Sequence, residues 1–177
     1  MDAKTVYQTL TNFDSFKSLI TTLISMAIAA TLTYKIVLFT LKKEVRLFKN
    51  LKTKIQVFDP PNKYNKNMQI ECDEIDNNPL FNKTIRFSDA DPRHRNSIGT
   101  KSLIILGYGD DFTFFETIFN KATDYEIPVI IYTYGDSRAL EQKHFDLLNK
   151  YRWYSVCNTP IRLISDVFTI LSTFTFK

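Results

Sequence analysis

Residues 102–135 read SLIILGYGDDFTFFETIFNKATDYEIPVIIYTYG, and this segment sets the fold class of the chain. The apolar run 103–106 ends at a glycine turn, as expected of a strand that is buried on both faces of a parallel sheet. Residues 112–125 then place apolar side chains at helical spacing, and 127–134 form a second apolar run. Strand, helix and strand in this order predict a βαβ unit with a right-handed crossover.

The same alternation continues on both sides of this segment. Downstream, a helical period at 137–151 leads to a short strand at 153–157. A last helix begins at Thr159-Pro160, since threonine is a good N-cap and proline suits the first helical position. Its predicted buried residues are Ile161, Ile164, Val167, Phe168 and Leu171. Upstream, three segments are predicted to be strands: 55–59, 68–72 and 83–88. We therefore predict an α/β fold, with a small three-layer Rossmann-like domain and a mostly parallel sheet.

A second segment, residues 18–41 (SLITTLISMAIAATLTYKIVLFTL), is apolar almost throughout and carries one charge, Lys35. As a helix it extends roughly 36 Å, slightly more than the roughly 30 Å hydrocarbon core of a bilayer. A buried core helix would normally be shorter and would show a polar stripe. A cleaved signal peptide is disfavoured, because the apolar run continues well past the small residues around Ala29. We therefore predict an N-terminal transmembrane helix that is retained as an anchor.

Basic residues are concentrated after this segment. Lys4 and Lys17 precede it, whereas a larger set lies in or behind it: Lys35, Lys42, Lys43, Arg46, Lys49, Lys52 and Lys54. Since cytoplasmic flanks are enriched in Lys and Arg, the C-terminal part is predicted to be cytoplasmic in a single-pass protein of the cell inner membrane. The predicted organisation is an extracytoplasmic lead-in, a transmembrane helix, a basic amphipathic neck and a cytoplasmic α/β sensor domain, at 1–17, 18–41, 42–53 and 54–177.

Composition narrows the predicted partners. The net charge of +4 comes mostly from the neck, which suits an anionic lipid bilayer, and no DNA or RNA polymer is expected as a partner. Thr21, Ser25 and Ala29 fall on one face of the membrane helix, and small residues at this spacing favour a homo-oligomer. The two cysteines form no CxxC or Cys/His cluster, and neither GxGxxG nor a Walker sequence occurs. We therefore predict no metal and no cofactor, and neither a dinucleotide dehydrogenase nor an ordinary ATPase.

A candidate ligand site follows from the fold. In an open parallel sheet, ligands bind at the carboxyl ends of the strands. This rule gathers ten residues on one rim: Gly107, Tyr108, Gly109, Tyr134, Gly135, Asp136, Ser137, Arg138, Asn158 and Thr159. Arg93, His94 and Arg95 precede the first of these strands and offer cationic donors for a phosphate. Asp110 and Asp111 are better explained by helix capping than by a phosphate cradle, because they repel an anion.

The segment 102–135 resembles the central part of Toll/interleukin-1 receptor (TIR) domains. In those domains an apolar strand leads to an aromatic stretch, a glutamate, a helix and a strand of "pvipv" type. The glutamate is catalytic in the NAD-cleaving members, so the resemblance implies this role for Glu116. The layout of one anchor helix and a small Rossmann-like domain is also similar to membrane effectors of bacterial antiphage systems. There, a sensor domain of CARF or TIR-like type binds a nucleotide second messenger.

Three functions are compatible with these observations. The first is a membrane-anchored effector whose cytoplasmic domain binds a nucleotide-type second messenger and, through oligomerisation, perturbs the membrane in antiviral defence. The second is a membrane-anchored, TIR-like NAD-cleaving enzyme that uses Glu116. The third is a non-enzymatic membrane scaffold that recruits a partner. We expect the first.

Overall fold

The computed structural model describes residues 3–61, 66–87, 98–136 and 140–176, with the backbone alone for residues 3–15. The chain forms two compact units, Met1–Arg46 and Leu47–Lys177. Its elements are α1 (Ala3–Leu51), β1 (Lys54–Phe58), α2 (Gln69–Asp76), β2 (Thr84–Phe87), β3 (Ser102–Gly107), α3 (Phe112–Asp124), β4 (Val129–Tyr132), α4 (Gln142–Leu148), β5 (Tyr154–Cys157) and α5 (Pro160–Thr173).

Helix α1 contains the apolar segment. From Phe16 onward it is long and apolar enough to cross a membrane, judged by length and composition. Six hydroxyl side chains donate to the carbonyl four residues earlier, at 2.8–3.0 Å: Thr21, Thr22, Ser25, Thr31, Thr33 and Thr40. These bonds satisfy the hydroxyl donors inside the helix, which a lipid-exposed segment requires. The helix also continues through most of the expected neck, whereas membrane insertion and its orientation stay predictions.

The sheet contains five described strands, which are all parallel and lie in the order β2-β1-β3-β4-β5. The α/β fold with a parallel sheet is thus confirmed. From β1 the chain moves outward to β2, and from β3 it moves the other way to β4 and β5. The carboxyl ends of β1 and β3 therefore form the topological switch point, where open α/β sheets usually bind ligands.

Two apolar cores cover the two faces of the sheet. Alternate residues of β3 separate them, since Leu103 and Ile105 face one core while Ile104 and Leu106 face the other. The first core also holds residues of α2 and α5 and the end of α1: Cys72, Ile75, Leu163, Val167, Leu171 and Leu51. The second holds residues of α3 and α4: Phe115, Ile118, Phe119 and Leu148. This is the three-layer arrangement that the alternating elements predict.

Two local predictions are wrong. The segment 68–72 is not a strand, because it opens α2, where Met68, Cys72 and Ile75 recur at helical spacing and are all buried. In α5 the buried residues are Leu163, Val167 and Leu171, which confirms the prediction for Val167 and Leu171. Ile164 is partly buried against the first core, whereas Ile161 and Phe168 are exposed, at 85% and 41%. The short helical period of α5 fits two neighbouring stripes, and packing on the sheet selects the one that contains Leu163.

Candidate functional site

The predicted rim lies at the carboxyl ends of three strands. Gly107, Tyr108 and Gly109 end or follow β3, and the turn after β4 contains Tyr134, Gly135 and Asp136. Asn158 follows β5, and its carbonyl accepts the Gly135 N–H at 2.8 Å, which joins these two turns. Thr159 is the N-cap residue of α5, although its side chain makes no capping bond. The other rim residues lie outside the described residues: Arg93, His94, Arg95, Ser137 and Arg138.

The glycine turn after β3 is packed against side chains of the chain itself. A Cβ atom on Gly107 would lie 2.5 Å from Tyr134 Oη and 2.8 Å from Pro60 Cδ. A Cβ atom on Gly109 would lie 2.5 Å from Pro60 Cβ. Asp111 caps α3, since its carboxylate accepts the Phe114 N–H at 3.0 Å. Close approach of Pro60 and Tyr134 thus accounts for both glycines.

Asp59 organises a polar cluster beside this turn, directly after β1. Its buried carboxylate accepts the Met68 N–H at 3.0 Å through Oδ1 and pairs with Arg86 Nε at 2.7 Å through Oδ2. Arg86 also donates to the side-chain carbonyl of Gln69. The cluster ties β1, β2 and the start of α2 together. Sequence reasoning missed it, although an aspartate between a buried strand and Pro60 was a signal.

Glu71 and Tyr134 bring two unsatisfied polar atoms to the same edge. Glu71, on α2, is 7% exposed. Among the described residues, its Oε2 atom and the Tyr134 hydroxyl have no hydrogen-bond partner. Burial is the main cause that raises the pKa of Tyr134, and the charge of Glu71 is the next. Burial and then a hydrogen bond with Glu71 raise the pKa of Tyr132. Glu71 therefore interacts with both phenols, and its free oxygen can accept one more hydrogen bond.

Tyr108 belongs both to the rim and to the second core. Its hydroxyl lies 2.9 Å from Nε2 of His144, a fully buried residue of α4. Nδ1 of His144 accepts the Glu141 N–H at 3.0 Å, so the neutral ring carries its proton on Nε2 and donates to Tyr108. Burial lowers the pKa of His144 and, as the largest cause, raises the pKa of Tyr108 to about 12. This arrangement suits a structural contact between neutral groups.

Glu116, the residue that the TIR resemblance singles out, is half-buried on α3. Its side chain makes no hydrogen bond or ion pair with the described part of the chain. Groups of three or more His, Cys, Asp or Glu side chains that could hold a metal ion are also absent from that part. The catalytic role of Glu116 stays a prediction.

A cavity of about 850 Å³ lies at the opposite edge, where β3, β4 and β5 begin. Four parts of the chain line it: the start of β3 with the preceding loop (Thr100 and Ser102), the end of α3 with the loop before β4 (Thr123 and 125–128), the segment before β5 (148–154) and the end of α5 with the residues after it (173–176). Reasoning from the carboxyl-end rule missed this cavity. The signal that could have found it is the group Lys150, Arg152 and Trp153 directly before β5.

No protein-family model matches this sequence, and no curated protein matches it either. The function of this chain is therefore inferred from its sequence and geometry.

Proposed function

We propose that the chain is a membrane-anchored effector whose α/β domain binds a nucleotide-type second messenger. Binding then acts on α1 and, through oligomerisation, perturbs the membrane in antiviral defence. The observation that carries this proposal is that the last turn of α1 belongs to the core of the domain. Leu51 is 3% exposed within the first core, and the side-chain amide of Asn50 donates to the Phe174 carbonyl at 3.1 Å.

This junction supports an effector better than a scaffold. Only two residues separate the end of α1 from β1, so no flexible linker follows the helix that carries the apolar segment. A tether that merely holds a scaffold at the membrane does not need its last turn built into the core. Conversely, a ligand that shifts the packing around Leu51 or the partner of Asn50 acts on α1 directly.

An open cavity supports ligand binding by the domain. The cavity at the amino ends of the strands has the volume of a small-molecule site. A module that only recruits a protein partner does not require such a cavity.

The test uses the full chain in lipid nanodiscs and in dye-loaded vesicles. Calorimetry against cyclic mono-, di- and oligonucleotides is expected to identify one that binds, and the same nucleotide is expected to release dye from the vesicles. Asn50→Ala should retain binding but release less dye, because it removes the bond between α1 and Phe174. Asn120→Ala, at an exposed position on α3, is the matched control. Absence of binding across the panel, or binding without dye release, would contradict the proposal.

A further inference from the structure

The cavity at the amino ends of β3, β4 and β5 is lined by both charged and aromatic residues. Three of its lining residues are charged: Lys150, Arg152 and Glu126. The two cations are exposed and lie two residues apart in the loop before β5. The charge of the lining is therefore net positive, which favours an anionic ligand.

At the carboxyl edge, the residues that the structure describes carry more negative than positive charge. Five carboxylates lie there: Asp59, Glu71, Asp110, Asp111 and Asp136. The cations described near them are Arg86, which is paired with Asp59, and Lys66, whose Nζ lies 5.6 Å from the Tyr134 ring centroid. The β3 turn also has no room for a ligand group, since Pro60 packs against both of its glycines and the Tyr134 hydroxyl packs against Gly107. Among the described residues, the amino edge is therefore the better place for a phosphate.

Aromatic rings line the cavity beside its cations. The Arg152 guanidinium carbon lies 5.4 Å from the centroid of the Trp153 ring. Trp153 packs edge-to-face on Phe174 at 4.9 Å, and Phe174 contacts Phe176 at 4.8 Å. Tyr125, Tyr151 and Tyr154 complete the aromatic part of the lining. One ligand can thus place a flat ring on this aromatic surface and an anionic group on Arg152 or Lys150.

We infer that this cavity is the ligand site of the domain and that it takes a planar heteroaromatic ring carrying a phosphate, the chemistry of a mononucleotide unit. The inference rests on the proposed function and names the site at which the messenger binds. It also connects that site to α1. Phe174 forms part of the cavity wall, and its carbonyl is the acceptor for the Asn50 amide.

The experiment measures binding to the full chain in nanodiscs by calorimetry. The probes are AMP and GMP, with adenosine as a ligand that lacks the anion and ribose 5-phosphate as one that lacks the ring. Both mononucleotides are expected to bind, and each partial ligand about tenfold or more weakly, because it loses the cationic or the aromatic contact. Equal affinity of adenosine or ribose 5-phosphate would overturn the assigned ligand chemistry.

Matched variants locate the site. Arg152→Ala and Lys150→Ala are expected to weaken AMP binding about tenfold without lowering the melting temperature, since both residues are exposed. Arg162→Ala is the control, because it removes an exposed arginine outside the cavity lining. Glu71→Gln and Tyr134→Phe, at the carboxyl edge, should leave the affinity unchanged.

The outcomes separate this inference from the proposed function. Nucleotide binding that is lost in the Glu71 and Tyr134 variants but retained in the Arg152 and Lys150 variants overturns the cavity assignment and leaves the effector proposal standing. Lack of saturable AMP and GMP binding at millimolar concentration also overturns the cavity assignment. The panel of cyclic nucleotides decides the effector proposal separately.

Discussion

The stability of the α/β domain should fall below neutral pH because of His144. Its ring is fully buried, accepts the Glu141 N–H through Nδ1 and contacts Tyr108 Oη through Nε2. Burial lowers its pKa most, and the charge of Lys143 lowers it further, whereas the carboxylates of Glu141 and Asp110 act in the opposite direction. The rings of Tyr108, Phe112 and Phe115 surround it. The native site therefore holds a neutral imidazole.

The direction of this pH dependence follows from proton linkage. The pKa of His144 in the folded state lies below its ordinary value of about 6.5, so the unfolded chain takes up the proton first as the pH falls. Above about pH 7.5 neither state is protonated and this contribution is constant. Between about pH 6.5 and the lowered pKa, the free energy of unfolding falls by up to about 1.4 kcal/mol per pH unit. Below the lowered pKa it is constant again.

The assay is urea unfolding of the full chain in detergent micelles, followed by the fluorescence of Trp153, the single tryptophan. His144→Gln removes the titrating group, and His94→Gln is the control because these are the two histidines of the chain. We expect wild type to be more stable than His144→Gln at about pH 7.5, and this difference to shrink by about 1 kcal/mol per unit below about pH 6.5. The His94 variant should follow wild type. Parallel pH curves for wild type and His144→Gln would refute the argument.

Three further predictions test other parts of the chain. Gly109→Ala should lower the free energy of unfolding by about 1–3 kcal/mol, because its Cβ would meet Pro60, whereas Gly99→Ala, with no atom within 4 Å, should change it little in the same denaturation assay. Purified protein incubated with NAD should release no nicotinamide; release that disappears in Glu116→Ala would instead establish the TIR-like enzyme. Protease added outside intact cells should leave residues 53–177 uncut, and digestion of that region would reverse the predicted topology.

Local patterns predicted most of the fold. The strands β3 and β4 are buried on both faces, so each is a continuous apolar run that ends at a turn, and no helix of that length would stop there. Pro160 at the first position of α5 marked its start correctly. The prediction of a strand at 68–72 was wrong because five residues are too few to distinguish a strand from the first turn of a helix. Only the longer spacing from Met68 to Ile75 shows the helical period.

The candidate sites were harder to predict because they depend on contacts between distant positions. Pro60 packs on Gly109, and Asp59 pairs with Arg86, yet neither contact leaves a pattern within one segment of sequence. The carboxyl-end rule placed the rim, but it could not show that the side chain of Tyr134 lies over Gly107. The cavity at the amino edge is built from four segments that meet only in the folded chain. Lys150 and Arg152 are visible in the sequence, but the sequence does not show which other segments line the cavity with them.

Asn50 connects α1 to Phe174, a residue that lines the cavity at the amino edge, and this contact is central to the proposed mechanism. A polar side chain buried in the last turn of a helix costs free energy unless it is hydrogen-bonded, and an apolar residue there would avoid this cost. Phe174 is the C-cap residue of α5, and its carbonyl is one of those that the end of a helix leaves without an intrahelical partner. The Asn50 amide therefore satisfies two groups at once, one from α1 and one from the end of α5. Since Phe174 lines the cavity, a ligand that shifts this residue alters the hydrogen bond between the Asn50 amide and the Phe174 carbonyl.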